Sequence, residues 1–143
     1  MLSRTSGYAI HATLHIGARS GPDNAVPAAA VAEALEIPAN YLAKILNTLA
    51  REGILTSERG RTGGFRLARA ADEIPLLDVV RHFDDIGDAR QCLLRSRACS
   101  EVHSCPAHKE WKEASDPAFR FFEEHTVADL MTSFKPRDEV LPV

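Results

Sequence analysis

Residues 38–67 read PANYLAKILNTLAREGILTSERGRTGGFRL, and the pattern changes halfway along. In the first half Leu42, Ile45, Leu46 and Leu49 recur at helical spacing and form one apolar stripe. Such a stripe faces a core. Asn40, Tyr41, Lys44, Asn47, Thr48 and Arg51 fall on the other side. Proline is permitted at the first helical position because that N–H needs no intrahelical partner. The spacing therefore predicts a helix over 38–52, closed by Gly53 as a left-handed cap. The second half reads as a hairpin, with strands over 54–57 and 65–67. The turn between them, 58–64, is rich in glycine and carries Arg59 and Arg61.

Moving outward, the run AAAVAEAL predicts a helix over 28–35, started just after Pro27 and joined to the next by the short turn Glu36-Ile37. Two short helices around a tight turn, the second with a polar outer face, form the helix-turn-helix pattern. A first helix is expected over 3–19, with Tyr8, Ala12, Ile16 and Arg19 at helical spacing and a break at 20–24. A fourth is expected over 75–83, burying Leu76, Val79, Val80 and Phe83. From 84 to 104 no periodicity is sustained. It resumes near Pro106, where Trp111, Ala114, Ala118, Phe121 and Phe122 form a stripe out to about His125. Pro117 interrupts that stripe and predicts a kink or a broken helix. Thr126 is the expected cap of a last helix over 127–133, and a loose tail follows from Lys135.

The fold class expected is mainly α with a small β-hairpin wing. A winged helix-turn-helix domain would occupy 1–83, a cysteine-bearing loop 84–108, C-terminal dimerisation helices 106–134 and a tail 135–143. At 143 residues with 45% hydrophobic and 26% charged residues, the composition is that of one soluble globular domain or a small domain with an arm. The apolar runs are too short to span a bilayer and no leader is visible, so a cytoplasmic location is expected.

Net charge is −3, but it is unevenly placed. Residues 1–70 hold 8 Lys and Arg against 5 Asp and Glu; residues 71–143 hold 9 against 15. The first half is thus suited to a phosphate backbone and the second is not. Lys44, Arg59 and Arg61 are the candidate DNA contacts, with Asn40 and Tyr41 near base edges or phosphates. The helix suits the major groove, which displays a distinct pattern for each base pair. Wing arginines suit a narrow minor groove. Asn40 lies near a helix start, where asparagine also serves as a cap. No nucleophile–base constellation, phosphate loop or pair of catalytic carboxylates can be placed, so an enzyme is not expected.

All three cysteines, Cys92, Cys99 and Cys105, lie in CLLRSRACSEVHSCPAH, which ends at His108. An odd count argues against a secreted disulfide framework. The spacings are too wide for a structural zinc knuckle and are not those of a two-residue redox motif. Three thiolates on a loop can hold a cluster and leave one position open. Spacing alone leaves a metal site and free thiols level.

SRTSGYAIHATLHI, IPANYLAKILNTLAREGIL, SERGRTGGFRLAR, IPLLDVV, the three cysteines, CPAHKEW and TVADLM together resemble the Rrf2 family of bacterial winged-helix regulators, over nearly the whole chain. The resemblance implies a homodimer that crosses long helices and binds a two-fold double-stranded DNA operator. It also implies an iron–sulfur cluster held by Cys92, Cys99 and Cys105, with a 2Fe–2S form ahead of a 4Fe–4S form. The fourth ligand differs within the family. His108 stands where an IscR-like arrangement has its histidine. His11 fits the histidine of an RsrR-like arrangement, but Gly7 replaces the first-helix acid that RsrR-like and NsrR-like arrangements use. His103 is a further local donor. The expected function is a dimeric regulator sensing redox state, nitric oxide or iron status. The alternatives are a cluster-free thiol regulator of the same fold and a zinc-stabilised interaction module.

Overall fold

A computed structural model of the chain describes residues 2–84, 86 and 106–133. Six α-helices and one hairpin occur among them, in the order α1 (Arg4–Arg19), α2 (Ala28–Leu35), α3 (Ala39–Arg51), β1 (Leu55–Glu58), β2 (Gly64–Leu67), α4 (Leu76–Val80), α5 (His108–Glu124) and α6 (Val127–Met131). A single 3-10 turn, Ala71–Glu73, precedes α4.

Helix α1 is the hub and packs against α2, α3, α4, α6 and β2. Its residues from Ala12 to Ile16 are all buried, so the helix is enclosed on more than one face. The polar ones are satisfied locally. The Thr13 hydroxyl donates to the Ala9 carbonyl at 2.8 Å, and Arg19 lies 3.0 Å from His15 Nδ1. Ser3 caps the start, its hydroxyl accepting from the Ser6 N–H at 3.2 Å. Arg19, read as part of the stripe, is exposed; it belongs to the last turn, where a cation complements the helix dipole.

The α2–α3 turn is closed by two reverse bonds, Glu36 N–H to Glu33 O and Ile37 N–H to Ala32 O. Glu36 therefore sits at φ 53°, a left-handed conformation uncommon outside glycine. The same closure recurs after α3, where Gly53 N–H bonds Ala50 O and Ile54 N–H bonds Leu49 O, with Gly53 at φ 75°. Gly53 thus takes its expected place.

The hairpin pairs Leu55 with Leu67 and Ser57 with Phe65 in antiparallel register, β1 lying one residue later than expected. Phe65 exchanges two further backbone bonds with Val26, both 2.8 Å, so the α1–α2 connection acts as a third partner. This close approach needs glycine. A Cβ on Gly64 would lie 2.4 Å from the Val26 carbonyl oxygen, and one on Gly63 2.5 Å from that of Glu58.

Three helical readings change. Helix α4 proper is five residues, and the chain then tightens into a turn through Phe83 N–H and Asp84 N–H to Val80 O. Helix α5 runs unbroken for 17 residues through Pro117. The carbonyl that Pro117 leaves without an intrahelical donor belongs to Glu113; both residues are exposed, so water can satisfy it. Helix α6 ends at Met131 but starts as expected: Thr126 and Asp129 form a reciprocal capping box, with Thr126 N–H to Asp129 Oδ2 at 2.7 Å.

Candidate nucleic-acid interface

Leu42, Ile45, Leu46 and Leu49 are all buried, which fixes the rotation of α3. Asn40, Tyr41, Lys44, Asn47 and Arg51 are consequently exposed, and Thr48 is half-buried. Pro38 is the N-cap rather than the first helical residue, and no side chain caps this end. Asn40 is the second residue of the helix and does not cap it. Its side chain is therefore presented outward with Lys44.

On the hairpin, Arg59 and Arg61 are exposed in the loop after β1, beside Gly60 at φ 110°. Arg66 is different. Its guanidinium bonds the Pro22 carbonyl and pairs with Glu58, so it braces the base of the wing against the α1–α2 connection. Arg69 is likewise engaged, bonding Asp78, which also pairs with Arg81. Of the arginines within the hairpin itself, the two at the tip are the exposed ones.

Tyr41 has partners that its sequence neighbourhood does not announce. Its hydroxyl shares a 2.5 Å hydrogen bond with the Thr5 hydroxyl, and its ring meets Tyr8 edge-to-face at 6.1 Å. The signal available in the sequence was the i, i+3 spacing of Thr5 and Tyr8, which places both on one face of α1.

The C-terminal end of α3 is also held. Glu52 pairs with Arg51 at 3.3 Å and lies 3.7 Å from His82 Nδ1, at the end of the α4 turn. Two residues on, Asp84 Oδ2 accepts from the Ser3 N–H at 2.7 Å. Burial pushes the Asp84 carboxyl up, but hydrogen bonding from the Ser6 hydroxyl and from the Ser3 N–H and hydroxyl outweighs it and holds the group below its ordinary value. The Ser6 hydroxyl is fully buried and lacks a hydrogen bond of strict geometry, so its contact with Asp84 is the looser one.

His108 opens α5 and is half-buried; His11 is exposed on α1. Cys92, Cys99, Cys105 and His103 lie outside the described residues, as does the tail from 135. Among the described residues, no three His, Cys, Asp or Glu side chains gather as a metal site.

Residues 2–133 match the Rrf2 family, described as an iron-dependent transcriptional regulator. The chain belongs to the Rrf2 family. A relative named a putative HTH-type transcriptional regulator from Aquifex aeolicus is 32% identical, across 92% of this chain and 91% of that one. IscR of Erwinia tasmaniensis, an HTH-type transcriptional regulator, is 31% identical across 92% and 79%. CymR of B. subtilis, titled the global cysteine regulator, shares the fold with a TM-score of 0.76 at 18% identity, over 94% of this chain and 98% of its own. The Rrf2 chain is therefore a winged-helix transcriptional regulator and not an enzyme. None of its described helices is long and apolar enough to cross a membrane.

Proposed function

We propose that this Rrf2 protein is a cytoplasmic homodimer whose operator affinity follows the state of an iron–sulfur cluster. The observation that carries the DNA-binding part is the outer face of α3. Its rotation is set by four buried residues, and it presents Asn40, Tyr41 and Lys44 while Arg59 and Arg61 stand exposed on the wing tip. In this reading α3 lies in the major groove, and the wing arginines enter the adjacent minor groove. The acidic second half stays clear of the duplex.

Cys92, Cys99 and Cys105 would hold the cluster, with His108 as fourth ligand and His11 as the alternative. The donor set fits: three thiolates and an imidazole are ligands that iron–sulfur centres accept. His108 stands half-buried in the first turn of α5, three residues beyond Cys105. When bound, a cluster supplies a centre that responds to oxidant, nitric oxide or iron supply.

The chain's own residues supply the rest. Asp84 ties the start of the cysteine segment to the first turn of α1, and His82 reaches Glu52 at the end of α3. Rearrangement after residue 84 would therefore reach the C-terminal end of the reading helix through Glu52 and, by way of α1 and Thr5, its Tyr41. Two half-sites about one helical turn apart make binding sensitive to small shifts. A coupling of about 1–3 kcal/mol makes a useful switch.

Purification without oxygen tests the reading. A coloured protein with visible absorption and about two or four irons per chain is expected, and His108→Ala should bleach it. A colourless protein containing zinc, or one whose DNA affinity follows thiol oxidation alone, replaces the cluster by one of the alternatives. An unchanged spectrum in His108→Ala moves the fourth ligand to His11. DNA affinity should fall steeply with salt.

A further inference from the structure

We propose that Thr5 and Tyr8 are positioning residues for DNA recognition, holding Tyr41 so that α1 and α3 present one composite hydroxyl donor. This rests on the DNA-binding reading above and extends it to a helix outside the helix-turn-helix pair.

Tyr41 is 37% exposed on the outer face of α3, where a free ring would sample several rotamers. Two contacts from α1 remove that freedom. Tyr8 meets the ring edge-to-face, at an interplanar angle of 79°, and Thr5 takes the hydroxyl. A side chain ordered before binding loses less entropy on binding.

The hydroxyl pair also has a directional consequence. Each group carries one proton and two lone pairs. One proton is used in the mutual bond, so one O–H remains. The pair is exposed, so that remaining proton is open to an acceptor outside the protein. A donor of this kind suits an anionic oxygen of the DNA backbone, the commonest acceptor in protein–DNA contacts. The contact fixes register rather than reading a base. Exposed Arg4, beside Thr5, adds positive charge at the same end of α1.

A purely structural tie between α1 and α3 would have the same coordinates, so the test separates the two. A duplex is selected from a random-sequence pool by the unaltered full-length protein. Its Kd is then measured for Thr5→Val, Tyr41→Phe, the double variant, Thr5→Ser and Tyr8→Leu, with Tm alongside. Each of Thr5→Val and Tyr41→Phe should weaken binding about 3- to 10-fold, the worth of one hydrogen bond. The double variant should be no weaker than Tyr41→Phe alone, because Thr5 acts only by orienting the Tyr41 hydroxyl. Thr5→Ser should restore affinity, and Tyr8→Leu should weaken binding with both hydroxyls intact. Losses that multiply in the double variant, or a lowered Tm with unchanged Kd, overturn the proposal. Failure of the unaltered protein to enrich any duplex overturns the DNA-binding reading itself, and this proposal with it.

Discussion

Helices α3 and α5 both carry an apolar stripe at helical spacing, and they treat it in opposite ways. In α3 the four stripe residues are between 0% and 2% exposed, covered by α1, α2 and β1. In α5, which is four residues longer, no residue is fully buried. Ala114, Ala118 and Phe121 are exposed, the last at 43%, and Trp111 and Phe119 are only half-covered. Phe122 alone on α5 packs against the main core. Among the described residues, the α3 stripe is closed over and the α5 stripe is not. An amphipathic helix draws most of its stability from packing its apolar face. In the dimer proposed above, a second copy of α5 would cover this stripe.

The widest gap between the helices should appear when a stripe residue is cut back. Leu46→Ala in α3 opens a cavity in a closed core and should cost about 2–5 kcal/mol, read as a lower urea midpoint at unchanged slope. Against a total of about 5–15 kcal/mol, this approaches unfolding. Ala118→Ser in α5 should leave the monomer's midpoint unmoved. A loss under about 1 kcal/mol for Leu46→Ala would break the contrast from the α3 side.

A charge at the centre of the α5 stripe tests the other side. Phe121 now stacks on His125 at 4.3 Å and meets Phe122 edge-to-face, but much of it remains open. Phe121→Asp removes an apolar anchor worth about 1.5–3 kcal/mol and puts a carboxylate in its place. Sedimentation should show dimer dissociation raised at least about 10- to 100-fold, with the winged domain still folded by circular dichroism. DNA affinity should fall with the dimer. A variant that stays dimeric assigns the pairing surface elsewhere.

The same contrast explains what was legible in the sequence. The α3 stripe, the Gly53 cap, the wing and the Thr126 cap were readable because each follows from local spacing or turn chemistry. Non-local facts were not. Arg66 looks like Arg59 and Arg61 in sequence, yet Glu58 and Pro22 engage it; only the fold decides which arginines face outward. Spacing places Tyr41 on the outer face of α3 but cannot name its partner, because Thr5 lies 36 residues away. Glu36 gives no glycine signal for its left-handed turn. Pro117 predicts a kink or a broken helix, and α5 is not broken, because proline breaks a helix decisively only where the freed carbonyl has no water. The cysteines were conspicuous as a set, and their ligand roles rest on donor chemistry and family resemblance.

Asp84 stands between α3 and α5 in the chain, and removing its charge should give the smallest effect. Its carboxyl titrates below the ordinary value of 3.8 in the folded protein, so the folded state binds its proton less readily than the unfolded state. The stabilisation is then fully present above that ordinary value and is lost as pH falls through the lower folded value. Much of the group meets solvent, so screening limits the contribution to less than about 1 kcal/mol. Asp84→Asn should lower the urea midpoint slightly at neutral pH, and the gap to the unaltered protein should close as pH falls below the ordinary value. No gap at neutral pH would mean that the Ser3 bond holds by geometry alone, since Asn offers the N–H an acceptor of similar shape. With DNA affinity measured alongside, the variant also asks whether the junction carries force. If Asp84 ties the cysteine segment to α1, the affinity difference between reduced and oxidised protein should shrink in Asp84→Asn, while Leu46→Ala lowers both affinities together.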